Sequence, residues 1–239
     1  MHRRARHLSG RAAGADLFFD ARRIQGLSDG AGVQTWDDLS VNANNATQAT
    51  SGKRPLYKVN IQGGCPMLLY DNSNDSLQCG SASGLTSAYS IVAVGRRNSA
   101  SSGSDNLMYY GNYNVYSPNF NWVGIESYGS NFGLGNYNSP TSRNVSTAAD
   151  INYNVFSGVV NDSGTNRFFL QGVQKATATS TAINISASAR PTIGAWGDAN
   201  TDVWNGYIGA VGYWSIAWSA SLRRRYEQAM GFSYKISCS

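Results

Sequence analysis

Histidine and glutamate, two of the residues most often used in acid–base catalysis, are few in this sequence. Both histidines, His2 and His7, lie at the amino-terminal end, and the two glutamates are Glu126 and Glu227. A histidine-dependent triad requires an imidazole held between a nucleophile and a carboxylate. Histidines confined to one basic end do not favour that arrangement, so the sequence argues against a triad hydrolase.

Paired carboxylates are the remaining route to catalysis, because two of them can act as acid and base on a glycosidic bond. The adjacent pair Asp37-Asp38 would point to opposite faces of a strand and could not act together. A glycine-rich phosphate loop followed by lysine is absent. We therefore predict that the chain is not an enzyme, with a polysaccharide-cleaving enzyme as a distant alternative.

Aromatic residues are dense in the Asn/Ser/Tyr/Gly-rich stretch 98–150. Tyrosine and tryptophan faces stack on sugars while Asn and Ser side chains bond the hydroxyls, and tyrosine is also enriched at protein contacts. Strand alternation would turn about half of these rings inward. We predict that ligand binding uses some members of the set Tyr109, Tyr110, Tyr113, Tyr116, Trp122, Tyr128 and Tyr137.

Basic residues are concentrated at the two ends of the chain, which has a formal net charge of +5. Residues between the ends are slightly acidic, so we do not predict nucleic-acid binding. If the ends lie close together, one patch that anchors an acidic partner is expected, against the alternative of a tail and a solvated helix face. The predicted anchoring residues are Arg3, Arg4, Arg6, Arg223, Arg224 and Arg225.

The three cysteines, Cys65, Cys79 and Cys238, match no zinc or redox motif. A Cys65–Cys79 disulfide and free thiols are both open at this point. The amino terminus lacks the apolar run of a signal peptide, and no stretch has the roughly 20 apolar residues of a membrane span. We expect no membrane insertion, and a location outside the cell or on a virion surface reached without a signal peptide.

Short strand-like runs separated by turn residues recur between Asp16 and Trp214. Gln171-Gly172 marks a hairpin turn. One helix is predicted from an N-cap at Ser219 or Ser221 to Gly231, followed by a final strand over residues 232–236. The pattern indicates an all-β, two-sheet sandwich with one short C-terminal helix. Residues 1–14 form a basic arm, and residues 15–239 form a single domain.

Six parts of the sequence share a pattern with one known family: 38–47 (DLSVNANNAT), 70–77 (YDNSNDSL), 89–94 (YSIVAV), 161–162 (ND) with 167–172 (RFFLQG), 193–198 (IGAWGD) and 204–211 (WNGYIGAV). In this order they resemble the laminin-G-like (pentraxin-like) branch of the concanavalin A-like lectin/glucanase superfamily, whose fold is a jelly-roll sandwich. Val41 and Ala43 stand where that branch usually has glycines, and Ala210 replaces a frequent glutamate. The Glu-x-Asp-x-x-Glu strand of the sandwich-fold glucanases is absent after Glu126.

The resemblance implies a cation site, because pentraxin-like members hold Ca²⁺ with side-chain oxygens from two separated loops. The matching positions are Asn74, Asp75, Asp198 and Asp202. The alternative is that these side chains cap turns. We expect no required cofactor, with Ca²⁺ as the candidate ion.

Two functional classes follow for the chain. The first is a non-catalytic recognition or adhesion module that binds a glycan or cell-surface polysaccharide, as the resemblance implies. The alternative is a virion structural component, such as a phage capsid decoration or fibre protein, that displays a lectin-like sandwich and contacts capsid or fibre subunits or itself.

Overall fold

The computed structural model describes residues 13–80, 88–99, 104–111, 121–138, 141–142, 145–161, 165–179, 185, 189–197 and 202–239. At 121–122, 136–138, 141–142 and 145–146 it describes the backbone alone.

Seventeen strands and one α-helix make up the regular structure of the described residues. They are β1 (Leu17–Asp20), β2 (Thr35–Trp36), β3 (Ala46–Thr47), β4 (Leu56–Gln62), β5 (Cys65–Asp71), β6 (Leu77–Gln78), β7 (Tyr89–Arg97), β8 (Ser104–Gly111), β9 (Asn121–Tyr128), β10 (Asn131–Asn138), β11 (Thr141–Ser142), β12 (Val145–Ala148), β13 (Asn154–Val160), β14 (Thr165–Leu170), β15 (Val173–Thr179), β16 (Thr192–Ile193), β17 (Asn205–Trp214) and α1 (Ala220–Tyr234). Single 3-10 turns lie at Ala21–Arg23 and Ser51–Lys53.

The strands form two antiparallel sheets packed face to face. The first sheet has the order β15-β14-β13-β7-β17-β5-β4, with β1 added to β17. The second has the order β11-β10-β9-β8-β16-β6-β3-β2, with β12 added to β10. The predicted all-β sandwich with one C-terminal helix is therefore confirmed.

Strand β7 shows why the first sheet is apolar on both faces. Tyr89, Ile91 and Ala93 enter the core between the sheets. Val92 and Val94 point to the opposite face, where they join a second apolar cluster with residues of α1. Because both faces of the strand are buried, its sequence is a nearly continuous apolar run instead of an alternating one.

Helix α1 begins as predicted but ends later. Ser219 is the N-cap, and its hydroxyl accepts a hydrogen bond from the Leu222 amide at 3.3 Å. The predicted strand after Gly231 is wrong, because the helix continues to Tyr234 and ends at Lys235 in the left-handed conformation. Tyr234 is fully buried, and its hydroxyl donates to the Gly209 carbonyl at 2.6 Å. Packing of that ring beneath the last turn favours helix over strand.

The structure decides two further local questions, the β14–β15 turn and the state of the cysteines. The hairpin turn at Gln171-Gly172 is confirmed, since both residues have positive φ (52° and 86°), as a tight β14–β15 turn requires. All three cysteines are free thiols. Within the described ranges, no helix is long and apolar enough to cross a membrane.

Candidate functional site

A cleft of about 380 Å³ opens at the edge of the sandwich where the chain leaves β1. We call it the Trp36 cleft. It is lined by Asp20, Arg23, Ile24, Gln25, Leu27, Gly32, Gln34, Thr35, Trp36, Asp37 and Arg54. Three separate segments therefore build it: the stretch after β1, strand β2 with its flanks, and Arg54 before β4.

The first wall of the cleft is set by the end of β1. The carboxylate of Asp20 accepts a hydrogen bond from the backbone amide of Arg22 at 3.0 Å and caps the 3-10 turn Ala21–Arg23. The same carboxylate pairs with the Arg22 guanidinium and accepts from the hydroxyl of Tyr234 at 3.0 Å. Asp20 is thus a structural anchor whose oxygens are already occupied.

Trp36 joins the cleft to the core. The indole is 1% exposed and packs against Phe19 with a ring-centroid distance of 5.5 Å. Its Nε1–H group is buried and has no hydrogen-bond partner in the protein. An unpaired buried donor costs free energy.

The rim of the cleft is polar and open to solvent. Gln25, Gln34 and Thr35 are exposed, and so are Arg23 and Asp37. The rim therefore offers amide and hydroxyl groups that both donate and accept hydrogen bonds, together with one exposed carboxylate.

Arg54 closes the cleft on the side of β4. Its Nε donates to the Gln48 carbonyl at 2.9 Å, and its Nη2 donates to the Ala49 carbonyl at 2.7 Å. These two bonds hold the guanidinium in place, so this wall is fixed before any ligand enters.

Asp37 and Asp38 point to different environments, as predicted for neighbours in an extended segment. Asp37 is exposed at the cleft, whereas Asp38 is buried. The Asp38 carboxylate accepts from the amides of Phe18, Ser40 and Asn44, each at 2.9 Å. The two carboxylates therefore cannot act on one substrate.

Tyr109 and Tyr110 belong to the inward-facing part of the predicted aromatic set and do not reach the surface. Each is only 1% exposed, because β8 lies between β9 and β16 in the middle of the second sheet. Tyr109 packs against Trp196 with ring centroids 6.1 Å apart, and Tyr110 meets Tyr213 edge-on at 5.4 Å. Burial raises the pKa of Tyr110 above its usual range.

Among the other predicted aromatics, the structure describes the side chain of Tyr128 and the backbone of Trp122 and Tyr137. Trp122 and Tyr137 are cross-strand partners in the β9–β10 ladder. Tyr128 is 65% exposed at the far end of β9, which places its backbone about 20 Å from that of Trp122. Tyr113 and Tyr116 lie outside the described residues.

Two of the predicted calcium ligands, Asn74 and Asp75, lie in the turn between β5 and β6. One Asp71 oxygen accepts from the amides of Asn74 and Asp75, at 3.0 and 3.2 Å, and an Asp75 oxygen accepts from the Asp71 amide at 3.1 Å. Burial raises the pKa of Asp75 to about 7, and the Asp71 carboxylate adds to the rise. Asp202 instead has Asp105 as its acidic neighbour.

A Ca²⁺ site needs six to eight oxygens. In the part of the chain that the structure describes, no three acidic, histidine or cysteine side chains gather as metal ligands. Asp198 lies outside that part.

The predicted anchoring arginines divide into two kinds. Arg223 is buried at 5% exposure and pairs with Glu227, so its assignment to a surface patch is wrong. Arg224 and Arg225 are exposed. Residues 3, 4 and 6 of the arm lie outside the described residues.

The Trp36 cleft was not predicted from the sequence. The short segment Gln34–Asp37, with one tryptophan among polar side chains, is the signal that could have indicated it. Its other walls come from residues 20–27 and from Arg54, and only the fold brings these segments together.

No family model matches the sequence, and no curated protein sequence matches it. Among solved structures, domain 4 of AbnA, an extracellular GH43 arabinanase of Geobacillus stearothermophilus in complex with arabinotriose, superimposes with a TM-score of 0.60 and 15% identity. The match covers 87% of this chain and 95% of that domain. The two share a fold.

Trypanosoma rangeli sialidase in complex with sialic acid gives a TM-score of 0.59 at 13% identity. That match covers 92% of this chain but 33% of the sialidase, so the chain spans about a third of that enzyme. At this level of identity both matches establish the sandwich fold. The narrower laminin-G-like assignment stays a prediction.

Proposed function

We propose that this chain is a non-catalytic carbohydrate-binding domain and that the Trp36 cleft holds the sugar. The observation that carries the proposal is the shared fold with an arabinotriose-bound domain, over nearly the whole of both chains. A match over 87% of this chain and 95% of a sugar-bound domain favours recognition over catalysis.

The chemistry of the cleft supports a neutral sugar ligand. Sugar hydroxyls donate and accept, and the exposed groups of Gln25, Gln34 and Thr35 do both. Ile24 and Leu27 give an apolar wall for the C–H face of a sugar ring. The volume of about 380 Å³ lies near the lower end of small-molecule sites, about 300–1,000 Å³, and suits a short saccharide.

Cleavage of the bound sugar is not supported by the carboxylates of the cleft. Asp37 is exposed there, but Asp20 is held by Arg22 and Tyr234 and is not available as its partner. Both glutamates lie elsewhere and are buried, Glu126 at 6% and Glu227 at 0% exposure. A glycosidase needs two carboxyl groups that both reach the scissile bond.

The test is a binding measurement on the full chain, by calorimetry against arabinotriose and by array against a wider glycan panel that includes sialylated glycans. The double variant Gln25→Ala/Gln34→Ala removes two exposed rim amides. Gln174→Ala/Gln228→Ala, which removes two exposed amides elsewhere, is the matched control. We expect at least a tenfold loss of affinity in the first variant and none in the control, because each lost hydrogen bond contributes about 1 kcal/mol.

The possible outcomes test glycan binding and the choice of the Trp36 cleft separately. A panel on which no glycan binds would overturn the proposed function. Binding that is equal in the two variants would keep the function and reject the cleft. Release of reducing ends from a bound polysaccharide, lost in Asp37→Asn, would replace the binding proposal with an enzymatic one.

A further inference from the structure

The exposed side of α1 carries positive charge and an exposed ring in one line. Arg224, Arg225, Gln228 and Phe232 all face solvent, and Phe232 is 75% exposed. Arg225, Gln228 and Phe232 are spaced i, i+3 and i+7, so they lie along one stripe of the helix. We call these four residues the α1 face.

No exposed acid on the helix offsets these arginines. Glu227 is the single acidic residue of 219–239. It is fully buried and paired with Arg223, so that charge is neutralised inside the protein. The α1 face therefore presents the charges of Arg224 and Arg225, which no exposed acidic residue of the helix offsets.

The basic arm joins the domain on the same helix. The hydroxyl of Tyr226 donates to the carbonyl of Ala13 at 3.1 Å, so the first described residue lies against α1. The twelve residues before it contain Arg3, Arg4, Arg6 and Arg11 and no acidic residue. The four arm arginines therefore precede Ala13 by two to ten residues in sequence, and Ala13 contacts Tyr226, the residue after Arg225.

We propose that the α1 face is a docking surface for an acidic protein whose carboxylates surround an apolar pocket that receives Phe232. Guanidinium groups bind carboxylates in bidentate geometry, and arginine and aromatic residues are enriched in protein interfaces. Phe232 favours a protein over a purely anionic polymer, because a phenyl ring gains free energy only where it leaves water. None of these four residues lines the Trp36 cleft, so a partner and a sugar can be held together.

The experiment measures binding of the full chain to three soluble polymers by biolayer interferometry at fixed salt: poly-L-glutamate, a glutamate–tyrosine copolymer and heparin. We expect the tightest binding to the copolymer, which offers both carboxylates and apolar groups. Arg224→Glu/Arg225→Glu should weaken that binding at least tenfold. Lys175→Glu/Arg190→Glu, an equal charge change at exposed positions outside α1, should change it less than twofold.

The variant Phe232→Ser distinguishes the contribution of the phenyl ring from that of the two arginines. It should weaken binding to the copolymer several-fold and leave binding to poly-L-glutamate unchanged. Equal losses of copolymer affinity in the two charge-reversal variants would show that net charge alone accounts for the binding, and would overturn the proposal. Tighter binding to heparin than to the copolymer, insensitive to Phe232→Ser, would also overturn it in favour of an anionic polysaccharide.

Discussion

Arg223 and Glu227, one turn apart on α1, form an ion pair that is buried on the outer face of the first sheet. Their side chains are 6% and 1% exposed. The hydroxyl of Ser157 on β13 donates to the same carboxylate, and the guanidinium lies 3.7 Å from the ring centroid of Phe169 on β14. The pair therefore holds the helix on the two strands beneath it.

Removing one member of this pair is expected to destabilise the protein strongly. Glu227→Gln keeps the shape of the side chain but leaves Arg223 charged and buried without a counter-ion, at a cost of about 3–5 kcal/mol. Thermal unfolding should shift down by about 10 °C. Arg224→Gln, on the exposed side of the same helix turn, should leave the midpoint within about 1 °C. Equal midpoints for the two variants would contradict the structural role of the pair.

Gly194 follows β16 at a point where no larger residue fits. Its φ is +84°, and a Cβ there would lie 1.9 Å from Cε1 of the Tyr70 ring. Tyr70 is fully buried in the core and cannot move aside. Gly194→Ala should therefore cost more than the 1–3 kcal/mol typical of overpacking and give little folded protein.

Gly26→Ala is the matched control for this substitution. Gly26 has a similar φ of +76°, but nothing lies within 4 Å of the added Cβ. Gly26→Ala should be destabilised only by the strain of placing alanine in the left-handed conformation, about 1 kcal/mol. Chemical denaturation of both variants measures the difference, and a Gly194→Ala protein as stable as Gly26→Ala would disprove the steric account.

The sequence predicts elements whose determinants are local. The β14–β15 turn needs residues that accept positive φ, and Gln171-Gly172 supplies them. The start of α1 needs a hydroxyl at its N-cap, which Ser219 provides. The end of α1 was mispredicted because Phe232, Tyr234 and Ile236 alternate like a strand, while Met230 and Tyr234 also have the i, i+4 spacing of a helix. Tertiary burial of Tyr234 decides between the two.

The residues of a candidate site are harder to predict than a turn or a helix start. Burial, and not residue type, decides which side chains can reach a ligand. Tyr109 and Tyr110 have the composition of a binding surface, yet the central position of β8 buries both. Arg223 resembles its exposed neighbour Arg224, although Glu227 at i+4 was a readable sign of pairing. Asp37 stands beside Asp38 in the sequence, whereas residues 20–27 and Arg54, which line the cleft with it, are distant in sequence.

Stability is expected to fall as pH rises through the range in which Asp75 titrates. Its pKa is raised from an ordinary value of 3.8 to about 7 by burial and by the Asp71 carboxylate. Between these values the folded state holds a proton that the unfolded state has released, so folding is favoured at the acid end and loses this contribution towards pH 7. The unfolding midpoint should be higher at pH 5 than at pH 7.5 by several degrees.

Asp75→Asn tests whether this carboxyl is the cause. The amide has nearly the same shape, still accepts the hydrogen bond from the Asp71 amide, and does not titrate. The variant should lose most of the difference between pH 5 and pH 7.5 and be the more stable protein at pH 7.5. Asp37→Asn, at an exposed carboxylate, should keep the wild-type difference. A pH dependence that survives Asp75→Asn would assign it to other groups.

Calcium is expected to leave the thermal stability unchanged. A ligand that binds only the folded state adds about 2.7 kcal/mol to the free energy of unfolding when its concentration is about a hundred times its Kd. A bound Ca²⁺ ion would therefore raise the unfolding midpoint by several degrees. Here the oxygens of Asp71 and Asp75 already accept backbone amides, and Asp202 has Asp105 as its acidic neighbour among the described residues. Midpoints in millimolar Ca²⁺ and in EDTA should agree within about 1 °C. A saturable rise in Ca²⁺ that is abolished by Asp202→Asn, with Asp29→Asn as the control, would instead show that the β16–β17 connection completes a site through oxygens beyond these carboxylates.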